Sequence, residues 1–170
     1  IPFCNTICSY CDFCKMFYNK SLVDSYLREL ANEIKESYKE GEITTIYIGG
    51  GTPTCLSVEQ LSFLFSLLKD VKLTTNYEFT IEANVESLTE EKIKLLKNNG
   101  VNRISIGVET FNENYQKIIN RKTSYKSLKE KIKLLRENGI SNINLDLMYG
   151  FQNETIEILE KDIDNLLALA

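Results

Sequence analysis

Two fifteen-residue stretches of the chain, 92–106 and 131–145, are identical at eight positions and lie 39 residues apart. Each reads as a lysine- and leucine-rich helix, an Asn-Gly stop and a short β-branched strand. Asn-Gly closes a helix well because both residues tolerate left-handed backbone. Some of the identity is what any such helix closed by Asn-Gly would share. The spacing nevertheless matches one helix-plus-strand unit, and the rest of the chain keeps the same alternation. Helices are expected from Ser21 to about Lys39, over 57–68, from Thr89 to Asn99-Gly100, briefly after Asn112, over 125–138 and over 156–170. Strands are expected over 44–48, 77–84, 101–108 and 140–148. Regular alternation of this kind predicts a parallel sheet with helices packed outside it. Right-handed crossovers then wind it as an open sheet or curl it into a barrel.

The strand parities favour an open, partial barrel. One face of the 77–84 strand carries Tyr77, Phe79, Ile81 and Ala83, and the other Glu78, Thr80, Glu82 and Asn84. On the 101–108 strand and its end, Ile104, Ile106 and Val108 oppose Arg103, Ser105, Gly107 and Glu109. On the 140–148 strand, Ile143, Leu145 and Leu147 oppose Asn142, Asn144 and Asp146. The apolar faces should meet the helices. A closed eight-stranded barrel fills its interior with branched apolar side chains, whereas a polar inner face suits a wider or open barrel around a polar ligand. Glu82, Glu109 and Asp146 fall toward the C-terminal ends of their strands, where parallel α/β folds place their sites. The plainer alternative is three carboxylates at a solvent edge.

Four of the five cysteines lie in the first fourteen residues, and Cys4, Cys8 and Cys11 are spaced Cys-x3-Cys-x2-Cys. Thiolates this close in a short loop repel one another and oxidise unless something binds them. A disulfide pair fits poorly in a chain with no secretory signature. A zinc site would need Cys14 as fourth ligand, and zinc frameworks usually bring two ligand pairs from separated segments. The remaining reading is an iron–sulfur cluster on three cysteines, with one iron left open. Composition narrows the partners. With 43% hydrophobic and 26% charged residues the chain is an ordinary globular one, and a net charge of −4 argues against nucleic acid. The absence of histidine excludes imidazole bases and ligands within this segment. No apolar run approaches the ~20 residues of a membrane span, and clustered reduced thiols suit the cytoplasm. Opening on Ile1 and closing inside a helical pattern, the chain is expected to be one core domain over 1–170, lacking a first strand and a C-terminal part.

Gly49-Gly50-Gly51-Thr52-Pro53-Thr54 follows the 44–48 strand. Three glycines permit close backbone approach to a ligand, though by themselves they also suit a tight turn. The run lacks the Gly-Lys-Ser/Thr of a phosphate loop and is not Gly-x-Gly-x-x-Gly.

With Tyr10 before the last cysteine, the cysteine motif resembles the signature of radical S-adenosylmethionine (SAM) proteins. Ile-Pro-Phe-Cys and Tyr-Cys-Asp-Phe resemble the oxygen-independent coproporphyrinogen III oxidase-like family, in particular its haem-chaperone branch. The resemblance implies a partial radical SAM barrel with a 4Fe–4S cluster on Cys4, Cys8 and Cys11. It implies that SAM binds the open iron through its amino and carboxylate groups and is cleaved to a 5′-deoxyadenosyl radical. The cofactors carry that chemistry, and the protein supplies position and electrostatics. Tyr10, Gly50, Gly51 and Thr52 then match the family's cofactor-binding positions, as do Glu82, Glu109, Arg121 and Asp146. The usual Val-Gln-Ser-Phe is read here with Glu109 in place of glutamine; a carboxylate accepts hydrogen bonds but cannot donate as an amide does. Without the resemblance, Arg121 would be an exposed charge at a helix end. Cys14 is expected to be a nearby thiol outside the ligand set, and Cys55 a small buried residue. The implied activities are a haem chaperone or, alternatively, decarboxylation of coproporphyrinogen III; a non-catalytic zinc or iron–sulfur module is the reading from another class. Asp12-Phe13 after the third cysteine favours the chaperone branch. The partners implied are haem or a porphyrinogen, an electron donor such as flavodoxin or ferredoxin, and a haem-accepting protein.

Overall fold

A computed structural model describes residues 1–169. In chain order the elements are β1 (Phe3–Cys4), β2 (Met16–Phe17), α1 (Lys20–Ser37), β3 (Glu42–Ile48), α2 (Val58–Leu67), β4 (Lys72–Ala83), α3 (Glu90–Asn98), β5 (Arg103–Glu109), α4 (Glu113–Ile118), α5 (Tyr125–Glu137), β6 (Asn142–Leu147) and α6 (Ile156–Leu167). Strands β3-β4-β5-β6 form one parallel sheet in sequence order, while β1 and β2 pair as a separate two-stranded ribbon. Parallel neighbours need crossovers, which the helices provide. The sheet does not close: β3 and β6 are its edges.

Helices α1 to α5 each begin where a side chain satisfies a free N–H group of the first turn, whereas Thr155 at the start of α6 makes no such bond. Ser57 and Gln60 form a capping box on α2, Thr89 caps α3 and Ser124 caps α5. The expected start of α1 at Ser21 is corrected by two residues. Asn19, in extended backbone, accepts from the Leu22 N–H, and the Ser21 hydroxyl donates to the same Asn19 oxygen. The strand β4 is also longer than its alternation suggests. Residues 72–76 look like a polar loop by themselves, but Lys72 and Leu73 pair with Glu42 and Ile43 ahead of an irregularity in the register.

The core lies between the sheet and the helices. Ile81, Ile104, Ile106 and Val108 are fully buried, as are Leu96, Leu128 and Leu135 from α3 and α5. Burying each such side chain contributes about 1.5–3 kcal/mol. The opposite face of the sheet is polar, and it bears the site.

Candidate functional site

The glycine run lies directly on the cysteine stretch. Gly51 N–H donates to the Ile1 carbonyl at 2.9 Å and Thr52 N–H to the Phe3 carbonyl at 2.8 Å. A Cβ on Gly51 would come within 2.7 Å of the Phe3 oxygen and 2.9 Å of Cys4 Sγ, so only glycine lets Cys4 sit there. Gly50 has φ +117°, a conformation that a side chain would strain. Its N–H donates to Glu82 Oε2 at 2.9 Å, and the Tyr47 hydroxyl donates to Glu82 Oε1 at 2.6 Å. Partial burial and the Glu82 carboxylate push the Tyr47 phenol up to about 12, so it stays protonated and remains the donor.

On the other wall, β5 ends at Glu109, whose φ of +70° is rare for a residue with a Cβ. The twist turns its side chain onto Tyr10 and Arg121. Glu109 Oε1 accepts from the Tyr10 hydroxyl at 2.7 Å and from Arg121 Nη2 at 3.0 Å. Arg121 Nη2 also donates to the Tyr10 oxygen at 3.2 Å, and Nη1 to Asn84 Oδ1 at 2.6 Å. The paired side chains of Glu109 and Arg121 are only 10% and 11% exposed. Neither the solvent-edge reading of Glu109 nor the exposed-charge reading of Arg121 survives. Burial works against the guanidinium's charge, but Tyr10, Cys8 and Glu109 hold it above its ordinary value. Asp146 lies further along the same face, accepting from Asn144 at 2.6 Å and from Ser105 at 3.3 Å.

Cys4, Cys8, Cys11, Tyr10, Gly50, Gly51, Thr52, Glu82, Glu109, Arg121 and Asp146, scattered over 143 positions of sequence, line one cleft of about 440 Å³. Cys14 is exposed and outside it. Cys55 is buried; burial, with Cys4 close by, pushes its thiol up to about 12, which suits an inert packing residue. Three site neighbours were not singled out from the sequence. Asn84 could be placed on the polar face of its strand by parity, but its bridge between Arg121 and Thr52 could not. Tyr47 and Ser105 are likewise strand residues whose partners come from other strands.

The cleft suits a soft-ligated cluster and a cationic cofactor. Burial pushes the Cys8 thiol up, against the opposing pull of the Arg121 charge, and a bound metal would favour its thiolate. Among the described residues, no three His, Cys, Asp or Glu side chains gather around a point as a single ion requires. A cubane cluster offers each of the three thiolates its own iron. The charged lining comprises Glu82, Glu109 and Asp146 against Arg121 and Lys15, an acidic surplus that favours a sulfonium and an ammonium group. Arg121 also keeps a buried Nε–H with no partner, a donor available to a carboxylate or hydroxyl oxygen.

The model of the radical SAM superfamily matches residues 1–166, and the chain belongs to that superfamily. Membership implies a 4Fe–4S cluster and SAM. More particularly, the chain is 44% identical to the heme chaperone HemW of Bacillus subtilis over 99% of this chain and 46% of that protein. It is 33% identical to the anaerobic coproporphyrinogen III oxidase 1 of Cereibacter sphaeroides, over 99% and 39% respectively. Among solved structures, the coproporphyrinogen III oxidase HemN of Escherichia coli, described as a radical SAM enzyme, superimposes with a TM-score of 0.92. It shares 29% identity, over 100% of this chain and 40% of that one. The chain thus spans about half the length of the curated relatives it matches. Among the described residues, no helix is long and apolar enough to cross a membrane.

Proposed function

We propose that this chain is the cofactor-binding core domain of a cytoplasmic radical SAM protein of haem metabolism, working as a haem chaperone. The observation that carries the reading is the convergence of the three cysteines, the glycine run and the Glu82–Glu109–Arg121 side chains on one cleft. Cys4, Cys8 and Cys11 would hold the cluster. When bound, the cluster and SAM supply reductive cleavage of the sulfonium. The protein's own part is positional. Glu82 fastens the glycine run beside Cys4. Glu109 and Arg121 neutralise each other at the rim and leave the Arg121 Nε–H to bind the cofactor. Haem, an electron donor such as flavodoxin or ferredoxin, and a haem-accepting protein are the partners this function requires.

A second reading, decarboxylation of coproporphyrinogen III, is supported by the close superposition on the Escherichia coli oxidase. Asp12-Phe13 after the third cysteine supports the chaperone instead. The full-length protein, reconstituted anaerobically with cluster and SAM, separates the two. Haem bound at about one per chain with no loss of coproporphyrinogen propionates is expected. Catalytic decarboxylation without haem binding would replace the first reading by the second.

A further inference from the structure

We infer that Gln116, which does not line the cleft, is the positioning residue that sets Glu109 against Arg121; the inference rests on the cofactor site proposed above. Glu109 and Arg121 belong to two arms joined by α4, a six-residue helix, too short to be stable without tertiary support. Each arm contains a left-handed residue with a side chain, Glu109 at φ +70° and Asn120 at φ +57°. Asparagine ends helices in this way readily, but at a glutamate such backbone persists only where its surroundings over-determine it. Gln116 does this from between the arms. Its Nε2 donates to the Thr110 carbonyl at 2.8 Å and to the Thr123 carbonyl at 2.6 Å. Its own backbone carbonyl accepts from the Arg121 N–H at 2.8 Å. One buried residue therefore grips the chain immediately after Glu109, at Arg121, and two residues beyond it.

The chemistry of the clasp is specific to glutamine. Thr110 and Thr123 are both buried, so an apolar side chain here would leave their carbonyls without donors. Glutamate would aim oxygens at both carbonyls when ionised, and asparagine keeps both N–H groups but is one methylene short. Asp162 of α6 braces the first arm alone. It accepts from the Thr110 hydroxyl at 2.5 Å and from the Phe111 N–H at 3.0 Å, and so fixes the turn after Glu109 without touching Arg121's arm.

The test is a double-mutant cycle in the full-length, cluster-reconstituted protein. Gln116→Met, of equal length but without donors, should keep the wild-type iron content and visible spectrum while weakening SAM binding about tenfold, as loss of such hydrogen bonds implies. In a Glu109→Ala background the same change should add clearly less than tenfold, because part of its effect passes through Glu109. Wild-type binding by Gln116→Met, or a full tenfold loss on top of Glu109→Ala, would overturn the inference. If Gln116→Met does not fold, Gln116→Asn is read the same way. If wild type binds no SAM, the functional reading falls separately; non-additivity of the Gln116 and Glu109 variants in thermal unfolding of the apo-protein then decides for the clasp, and additivity against it.

Discussion

The cysteine loop and the strand rim face each other across the cleft but are held by different means. The loop leans on its neighbours: the Ser9 hydroxyl donates to the Ile118 carbonyl at 2.7 Å and its N–H to the Ile119 carbonyl at 3.4 Å, while the Asn120 amide donates to the Ile7 carbonyl at 3.0 Å. These contacts satisfy carbonyls at the end of α4, which a helix leaves free, and place Cys8 through its backbone. The thiols themselves are free. At the rim the functional side chains satisfy one another, as the Tyr10–Glu109–Arg121–Asn84 chain shows. The rim side chains hold one another in place, whereas the loop holds its cysteines through its backbone.

The sharpest way to break that contrast is to remove a thiol. Reconstituted wild type should carry about four iron and four sulfide per chain. Cys4→Ala, Cys8→Ala and Cys11→Ala should each lose the cluster, whereas Cys14→Ala, at an exposed position outside the cleft, should retain it. All four apo-proteins should keep the wild-type far-ultraviolet circular dichroism, because the sheet does not depend on the loop's metal. Iron loss in the Cys14 variant would revive a four-cysteine site, and collapse of the sheet in any of them would refute an independently built rim.

At the rim, truncation should do harm in the apo-protein as well. Glu109→Ala leaves the Arg121 guanidinium, 11% exposed, without its carboxylate. Breaking a buried pair in this way costs about 3–5 kcal/mol, and the hydrogen bonds that Arg121 keeps to Asn84 and Tyr10 place this case at the lower end, about 3. Urea unfolding of the apo-protein measures it. A loss below about 1 kcal/mol, the range of exposed pairs, would mean that the pair is solvated and the rim not preorganised.

The same contrast governs what the sequence could disclose. Helix-and-strand units were legible from periodicity and Asn-Gly stops, and the cysteines from spacing, because both signals are local. The two-residue strands Phe3–Cys4 and Met16–Phe17 are too short to carry a period. Glu109 could be placed on the polar face of its strand, but not its left-handed backbone, which is fixed by residues far along the chain. Gln116 and Asp162 belong to no motif or spacing in the sequence. Their partners lie on other segments, so only the folded chain shows that they hold the turn.

The smallest expected effect sharpens the comparison most, because it separates the geometry of the rim from its charge. Glu109→Gln keeps an acceptor oxygen for Tyr10 and Arg121 and removes the negative charge. Hydrogen bonds to a charged group are worth roughly 1.5–3 kcal/mol and neutral ones about 1, so the change weakens the Arg121 contact. Against this, a neutral partner leaves the guanidinium more available to an incoming carboxylate, and it removes one of three acidic groups from beside the cluster loop. Loss of that acidic group also weakens attraction for the sulfonium. With terms of both signs and similar size, SAM affinity should stay within about threefold of wild type, less than 1 kcal/mol, while Glu109→Ala falls by tenfold or more. Titration of SAM into the reconstituted wild type and both variants measures this. If the Gln variant bound as poorly as the Ala variant, the rim would require its negative charge, and hydrogen-bond geometry would not account for Glu109.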